Sequence, residues 1–429
     1  MNVGILGGGL TGLTIAYLLR KDFEILEKEH ECGGLCRSLH ENGFTFDQCG
    51  AHIIFSKKKK PIDLMLNVLA ENHVRRRRNN KIFYKQRFVK YPFENGLSEL
   101  SKEDAFECLY HYLKNQHRKP SNFKEWIYHT FGEGIAEKYL IPYNEKVWKC
   151  PTEEMSKHWV EGRVPKPPLR DIIKSAIGIS TEGYTHQLNF YYPATGGIQM
   201  LIKTMEAAVA NIVRDFEVKR IEKENNRWVV SNDRGEKEFD HLVSTIPIFD
   251  LVDALDSVPK KVLEALDRLK YNSLITVMVG IDEPNINDYT AVYFPEKEFF
   301  PNRVGFPMNF SRHNAPEGKS SLVAEITSNK GDPIWELSDQ DLLDHVIEYL
   351  HKKAMIHRGS VCYSKVVRSR YAYVVYDLGY LKNIYIVRKY ISRLGIELCG
   401  RFSEFEYLNM DACVEHGMRT AKRINELEG

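Results

Sequence analysis

Three glycines near the start of the chain have the spacing of a phosphate-binding turn. Gly7, Gly9 and Gly12 form the pattern G-x-G-x-x-G. In such a turn the first glycine allows a sharp bend, the second lets a phosphate approach the backbone, and the third lets a helix pack closely on a strand. The free N–H groups at the start of that helix bind the pyrophosphate of a dinucleotide. Leu10 and Thr11 lie inside the turn, and we expect them to contact the cofactor too.

The elements that must position this turn lie on both sides of it. Residues 2–6 are apolar and suit a strand, residues 13–19 suit a helix, and residues 23–27 form a second apolar strand. That strand ends on Glu27, whose carboxylate can accept hydrogen bonds from both ribose hydroxyls. Because strand, turn, helix, second strand and terminal acid all agree, the sequence predicts a dinucleotide site rather than an ordinary glycine-rich turn.

A second glycine pair favours FAD over NAD. Gly33 and Gly34 follow the second strand, and Leu35 and Arg37 come shortly after them. Backbone then wraps the cofactor on both sides, and the guanidinium fork of Arg37 suits a pyrophosphate oxygen. The glycine pair resembles that of the amine oxidase and protoporphyrinogen oxidase superfamily of flavoproteins.

The same resemblance extends to two later segments. Residues 239–247 resemble a later strand of the superfamily's FAD domain, and Gly400-Arg401-Phe402 resembles the segment that closes over the flavin. A helix predicted over residues 411–426 follows, and its dipole favours an anionic reduced flavin. The other residues that the resemblance assigns to the cofactor are Lys28, Val218, Arg401, Asn409 and Met410.

The predicted fold is α/β, with a Rossmann-type FAD-binding domain, an inserted helical domain and an antiparallel β-sheet domain. We assign the discontinuous FAD-binding domain to residues 1–60, 190–275 and 375–429. A mostly helical substrate domain is predicted at 61–189, where apolar residues recur at helical spacing, and a β-sheet-rich substrate domain at 276–374.

The overall composition is that of a globular protein without a dominant charge. Hydrophobic residues make up 43% and charged residues 28% of the 429 positions, and the net charge is +2. Neither nucleic acid nor a membrane is expected as a partner. The eight cysteines are irregularly spaced, so we predict thiols in a reducing cytoplasm and no metal site.

The chain contains two runs of basic residues, and the second run has two interpretations. Lys57–Lys60 and Arg75–Arg78 are most simply a solvated helix end and a solvated loop. The alternative is that the second run helps to attract a substrate that carries a pyrophosphate.

Several further motifs resemble the UDP-galactopyranose mutase family, most closely its eukaryotic-type branch. Residues 46–56 resemble its histidine loop under the flavin, and residues 89–95 resemble its Tyr-Pro-Phe-Gln-Asn segment. Residues 139–163 resemble its Pro-Tyr-Asn-x-Lys-Val-Trp block and a later arginine. Residues 293–303 and 371–411 complete a resemblance that covers nearly the whole chain.

This resemblance implies a flavin-dependent mutase that interconverts the pyranose and furanose forms of a nucleotide-diphosphate hexose, as in cell-surface polysaccharide biosynthesis. In the family, N5 of the reduced flavin attacks the anomeric carbon and displaces the diphosphate, so there is no net redox. NAD(P)H or another reductant must first reduce the FAD. The implied catalytic residues are His52, beside the flavin, and Arg163 and Arg303, whose guanidinium forks suit the diphosphate.

The family motifs also imply a set of substrate-binding residues, mostly aromatic or amide side chains. They are Tyr91, Phe93, Glu94, Asn144, Trp148, Trp159, Tyr293, Tyr373, Tyr407 and Asn409.

Two departures from the family pattern leave the substrate open. Glu94 stands where the family has Gln, and a carboxylate only accepts hydrogen bonds, which suits the donors of guanine. Ala291 replaces a larger aromatic residue and leaves more room. UDP-galactopyranose is the expected substrate, and a GDP-linked sugar is an alternative.

Two other functions remain open. One is an FAD-dependent amine or protoporphyrinogen-type oxidase, and the other is a flavin-binding structural or regulatory protein. The sequence makes no prediction of the oligomeric state.

Overall fold

The structure, a computed structural model, describes residues 1–160, 164, 166–183 and 185–427. Its strands are β1 (Asn2–Leu6), β2 (Asp22–Leu26), β3 (Ser38–Glu41), β4 (Phe44–Asp47), β5 (His73–Arg77), β6 (Asn80–Tyr84), β7 (Arg87–Lys90), β8 (Asn189–Pro193), β9 (Ile212–Val213), β10 (Arg220–Glu224), β11 (Arg227–Asn232), β12 (Gly235–Phe239), β13 (His241–Ser244), β14 (Lys270–Ile281), β15 (Ala291–Tyr293), β16 (Arg303–Gly305), β17 (Ser320–Ser328), β18 (Val361–Val375) and β19 (Ile396–Leu398).

Twelve α-helices connect these strands within the described residues. They are α1 (Leu10–Leu18), α2 (Lys59–Leu69), α3 (Lys102–Leu113), α4 (Phe123–Ile135), α5 (Ile141–Trp148), α6 (Leu169–Ala176), α7 (Gln199–Ala207), α8 (Ile248–Asp253), α9 (Lys260–Asp267), α10 (Asp339–Lys352), α11 (Tyr380–Leu394) and α12 (Met410–Glu426). Among these described helices, none combines the length and the apolar character needed to cross a bilayer.

A five-stranded parallel sheet in the order β19-β13-β1-β2-β9 forms the first layer. Strand β1 lies at its centre and pairs in parallel with both β2 and β13. Helix α1 follows β1 through the glycine turn, and α12 packs beside α1. The strand–turn–helix–strand order predicted for the first 27 residues is therefore confirmed.

A seven-stranded sheet in the order β18-β14-β17-β16-β15-β6-β7 forms a second layer. Most neighbouring strands in this sheet are antiparallel, and the β15–β6 pair is parallel. This sheet agrees with the predicted β-rich unit, and the predicted α/β fold class is confirmed. The division of the chain into three domains stays a prediction.

The segment 61–189 contains strands that the helical pattern did not predict. Strands β5, β6 and β7 lie inside it, and β6 and β7 extend the seven-stranded sheet. Arginine-rich β5 carries charge on both of its faces, which hides the alternation that marks a strand.

The two basic runs have different outcomes. Lys57–Lys60 is exposed at the start of α2, as the solvated interpretation predicted. The prediction of a solvated loop at Arg75–Arg78 is wrong, because Arg75, Arg76 and Arg77 lie in β5, paired with β8.

We expect Gly12→Ala to destabilise the protein strongly. A Cβ at position 12 would lie 2.0 Å from the carbonyl oxygen of Gly7, so α1 and β1 would have to separate. Forced overpacking of this kind costs about 1–3 kcal/mol or more. The matched control is Gly9→Ala, because a Cβ there meets no described atom within 4 Å. Urea unfolding of the two apoproteins measures the difference, and equal stabilities would contradict the packing argument.

Candidate active site

A cavity of about 760 Å³ lies where the parallel sheet meets the second sheet. Gly7, Glu27 and Thr245, which follow β1, β2 and β13, line one side of it. Ligands of open α/β sheets bind at the carboxyl ends of the strands in this way. The predicted cofactor residues that line the cavity are Gly7, Gly9, Leu10, Thr11, Glu27, Lys28, Gly34, Leu35, Arg37, His52, Val218, Arg401, Asn409 and Met410. Gly12 lies behind the turn, in the contact with β1.

Glu27 is held rigidly at the edge of the cavity. One carboxylate oxygen accepts a hydrogen bond from the N–H of Gly8 at 2.7 Å, and the other accepts one from the N–H of Glu29 at 2.9 Å. Burial raises the pKa of Glu27 above its ordinary value. Each carboxylate oxygen keeps further lone-pair capacity, so the group fits the donor hydroxyls of a ribose.

Two helix N-termini point at the same cavity. Helix α1 begins after Gly9, where an added Cβ would meet no described atom within 4 Å, so there is room for a phosphate. Helix α12 begins after Asn409, whose side chain makes no cap hydrogen bond, and both Asn409 and Met410 line the cavity. The partial positive charges of these two termini fit a pyrophosphate and an anionic ring system.

His52 is neutral in this environment. Burial lowers the pKa of the imidazole to about 4; the hydrogen bond to Gly50 opposes this shift, and the nearby positive charges of Arg401 and Arg303 add to it. The Nδ1 atom lies 2.9 Å from the carbonyl oxygen of Gly50. A carbonyl only accepts, so Nδ1 carries the proton and Nε2 is left as an acceptor. His52 therefore contributes a hydrogen-bonding group, not a positive charge, to the cavity.

Arg303 reaches the cavity from the second sheet. It stands in β16 directly opposite Glu325 in β17. Its Nε donates to Oε1 of Glu325 at 2.9 Å, and its Nη2 donates to both carboxylate oxygens at 2.7 Å. Glu325 is fully buried and also accepts from the N–H of Ala51 at 3.2 Å. One carboxylate thus fixes both the arginine and the backbone beside His52.

Aromatic rings form the rest of the wall. Tyr91 stacks on Tyr293 with ring centroids 4.8 Å apart. The guanidinium of Arg401 lies 4.5 Å from the ring centroid of Tyr407 and 5.6 Å from that of Tyr373. All five side chains line the cavity, as does Arg303. The structure therefore brings together Tyr91, Tyr293, Tyr373, Tyr407, Asn409, His52 and Arg303 from the predicted substrate and catalytic sets.

Several predicted substrate residues do not line the cavity. Asn144 donates to the carbonyl of Leu140 at 2.7 Å and accepts from the indole of Trp148 at 3.0 Å. Trp148 is buried and packs edge-on against both Tyr373 and Tyr407. These residues support the cavity wall from behind. The predicted substrate residues in this outer position are Phe93, Glu94, Asn144, Trp148 and Trp159. Arg163 lies outside the described residues.

The position of Glu94 bears on the expected nucleotide. Its side chain is buried, and burial raises the pKa of its carboxyl to about 7. Glu94 does not line the cavity, so its position gives no support to the expectation that it meets the nucleobase. Ala291, the other departure, does line the cavity.

Sequence motifs missed several polar residues of the site. Gln187 accepts a hydrogen bond from Arg78 at 2.8 Å, and Asp250 accepts one from Tyr371 at 2.7 Å. Glu325 was missed because it lies in a fully buried strand, where only pairing with Arg303 reveals its role. The described cations that line the cavity are Lys28, Arg37, Arg78, Arg303, Arg368, Arg370 and Arg401. The described carboxylates there are fewer, namely Glu27, Glu29, Glu217 and Asp250, so the site favours anions.

The family model of flavin-containing amine oxidoreductases matches residues 10–425. The chain belongs to this family. The cavity described above fits the flavin cofactor that the family name implies, because it offers an acidic ribose partner, an open phosphate turn and two helix N-termini.

Two solved structures and one curated relative show how diverse similar proteins are. A reduced UDP-galactopyranose mutase is 25% identical with a TM-score of 0.90, and the match covers 99% of this chain and 95% of that one. A putrescine oxidase bound to putrescine is 16% identical with a TM-score of 0.68, with 99% of each chain covered, and shares the fold. Coproporphyrinogen III oxidase of Bacillus subtilis (strain 168) is 20% identical over 97% of this chain and 96% of its own.

We expect His52 to make this family member sensitive to mild acid. Its folded pKa of about 4 lies below the ordinary imidazole value of about 6.5, so the unfolded chain binds the proton more readily. The stabilisation is complete above about pH 6.5 and is lost as the pH falls towards 4. His52→Gln should flatten this part of the curve of unfolding free energy against pH. An unchanged slope over this pH range would contradict the neutral assignment.

We expect Glu325→Gln to cost about 3–5 kcal/mol of unfolding free energy, because it leaves the charge of Arg303 without its buried partner. Arg303→Met in the Glu325→Gln background should recover part of that loss. Chemical denaturation of the two single variants and the double variant forms a cycle that isolates the pair. Additive single effects would show that the two side chains do not interact.

Proposed function

We propose that this protein is a flavin-dependent nucleotide-sugar mutase that interconverts the pyranose and furanose forms of a nucleotide-diphosphate hexose, with UDP-galactopyranose as the first candidate. The observation that carries the proposal is Arg303, fixed by Glu325 at the edge of a flavin-sized cavity and accompanied by tyrosines. A fixed guanidinium and tyrosine hydroxyls can donate hydrogen bonds to a diphosphate leaving group. The overall similarity to a UDP-galactopyranose mutase supports it further.

The proposed role of Arg303 is to bind the diphosphate while the bond between the diphosphate and the sugar breaks. Its Nε and Nη2 are held by Glu325, which fixes the plane of the guanidinium before substrate arrives. A donor fixed in advance stabilises developing negative charge without reorganising during the reaction. Tyr373 and Tyr407 are proposed as hydroxyl donors to the same diphosphate, and Arg163 as a second cation.

When bound and reduced, the flavin supplies the nucleophile, N5, that exchanges places with the diphosphate at the anomeric carbon without net oxidation. The chain's own part is to hold the ring system in its electron-rich state. The N-terminus of α12 and the charge of Arg401 serve this purpose, and neutral His52 offers a hydrogen-bond acceptor. We propose that NAD(P)H or another reductant first reduces the flavin.

Protein reduced anaerobically with dithionite is incubated with UDP-galactopyranose, and the products are separated by chromatography. We expect a furanose product and a flavin spectrum that stays reduced after turnover. The same incubation with oxidised protein should give no product, and absence of furanose from every UDP-, GDP-, CDP- and dTDP-hexose tested would overturn the proposal.

We expect Arg303→Lys to lower kcat by about 100-fold, the typical loss when one preorganised donor to a developing anion is removed. Lysine keeps the charge but loses the planar fork that Glu325 fixes. The control is Arg312→Lys, because Arg312 is exposed and is absent from the cavity lining. A kcat for Arg303→Lys equal to that of the control would remove Arg303 from the proposed chemistry.

An oxidase is the second candidate, and the similarity to coproporphyrinogen III oxidase and to putrescine oxidase favours it. An oxidase bleaches the flavin when it meets its substrate anaerobically and recovers its colour in air. Stopped-flow absorbance with coproporphyrinogen and with putrescine separates the two functions. Neither compound should reduce the oxidised flavin of a mutase.

A further inference from the structure

We propose that Lys146, in α5, is a positioning residue for Arg303 and Tyr293 on the substrate side of the cavity. Its Nζ donates hydrogen bonds to the carbonyl oxygens of Phe294 and Glu296, each at 2.8 Å. Both carbonyls lie in the stretch of chain that joins β15 to β16. The inference rests on the proposed function, in which Arg303 binds the diphosphate.

The stretch that joins β15 to β16, residues 294–302, connects the two cavity residues. Tyr293 is the last residue of β15 and Arg303 is the first residue of β16, and the two lie directly opposite each other in the strand pair. The N–H of Phe294 then donates to the carbonyl oxygen of Asn302 at 3.0 Å, which closes the stretch. A shift of residues 294–302 therefore moves the strand ends that carry both cavity side chains.

Helix α10 holds the far end of the same stretch. The ring of Phe299 is buried and stacks on Tyr349 with centroids 4.0 Å apart. The N–H of Phe300 donates to Nε2 of His345 at 3.0 Å. In the described part of the chain, the side chain that donates hydrogen bonds to the near end is Lys146. The stretch is thus fixed between α10 on one side and α5 on the other.

Helix α5 also supports other parts of the cavity wall. Tyr143 packs edge-on against Tyr293 with ring centroids 5.6 Å apart, and Trp148 packs edge-on against Tyr373. Lys146 lies between these two aromatic residues in the sequence and extends the support to β16. Through these three side chains, one helix supports wall residues that come from β15, β16 and β18.

The environment of Lys146 indicates a role beyond stability. Burial lowers the pKa of its amine to about 7; the charge of Glu296 opposes this shift, and that of Lys149 adds to it. Its described hydrogen-bond partners are two backbone carbonyls, not a carboxylate, and an apolar side chain would fill such a position at lower cost. Both the charged and the neutral amine keep enough N–H donors for the two carbonyls.

Lys146→Met tests the role, because methionine keeps the apolar stem and removes the donors. We expect kcat of the mutase reaction to fall about 10-fold with the flavin content unchanged, since a misplacement of about 1 Å can cost up to roughly 100-fold in rate. Lys146→Arg keeps donors for both carbonyls and should retain most of the wild-type kcat. The control is Lys149→Met, an exposed residue at the end of the same helix, which should behave like the wild type.

A double-mutant cycle with Arg303→Lys separates positioning from general destabilisation. If Lys146 acts through Arg303, Lys146→Met should lower kcat much less in the Arg303→Lys background than in the wild type. Equal decreases in the two backgrounds overturn the positioning role and leave the proposed function intact. The same holds if Lys146→Met and Lys149→Met have equal kcat values.

Hydrogen–deuterium exchange of the same flavin-loaded proteins needs no turnover. We expect the amides of residues 294–303 to exchange faster in Lys146→Met than in Lys149→Met, and those of β1 to exchange at the wild-type rate. Faster exchange throughout the chain, or loss of the flavin, would show that Lys146 serves overall stability and would overturn the positioning role. A wild-type protein without mutase activity overturns the proposed function itself, and with it the role of Lys146 at the substrate site.

Discussion

The buried ion pair between Arg303 and Glu325 is the interaction on which the site depends. A fully buried carboxylate is tolerated only where its partners are complete, and here they are a bidentate guanidinium and the N–H of Ala51. The pair joins two strands of the second sheet and also reaches the loop that carries His52. The proposed diphosphate-binding group and the group expected beside the flavin are therefore fixed relative to each other before any ligand arrives.

The rest of the cavity is organised around that fixed point. The parallel sheet contributes the glycine turn and Glu27, which suit the dinucleotide part of FAD. Helix α12 and Arg401 contribute positive potential where the ring system is expected to lie. Tyrosines from two strands and two loops close the substrate side. The residues behind these tyrosines include Asn144 and Trp148, which are hydrogen-bonded to each other. They support the tyrosines through packing.

Part of the site could be predicted from the sequence, because its residues lie close together along the chain. The glycine turn with Glu27 is encoded within 27 consecutive residues, and each residue type has one physical reason for its place. Other features depend on long-range pairing, which a single sequence does not display. Glu325 meets Arg303 only because β17 pairs with β16. Strand β5 was not predicted because its arginines obscure the alternation that marks a strand. The burial of Glu94 away from the cavity depends on how the short helical turn at residues 93–95 packs against α6.

In the proposed reaction, the bond between the anomeric carbon and the diphosphate breaks and re-forms without net redox. Positional isotope exchange measures this directly, with UDP-galactopyranose labelled with heavy oxygen in that bond. We expect the anaerobically reduced protein to move the label into the non-bridging positions of the diphosphate, and the oxidised protein to leave the label in place. A label that stays in place, while the protein consumes its substrate only in the presence of oxygen, would contradict the proposed mutase reaction.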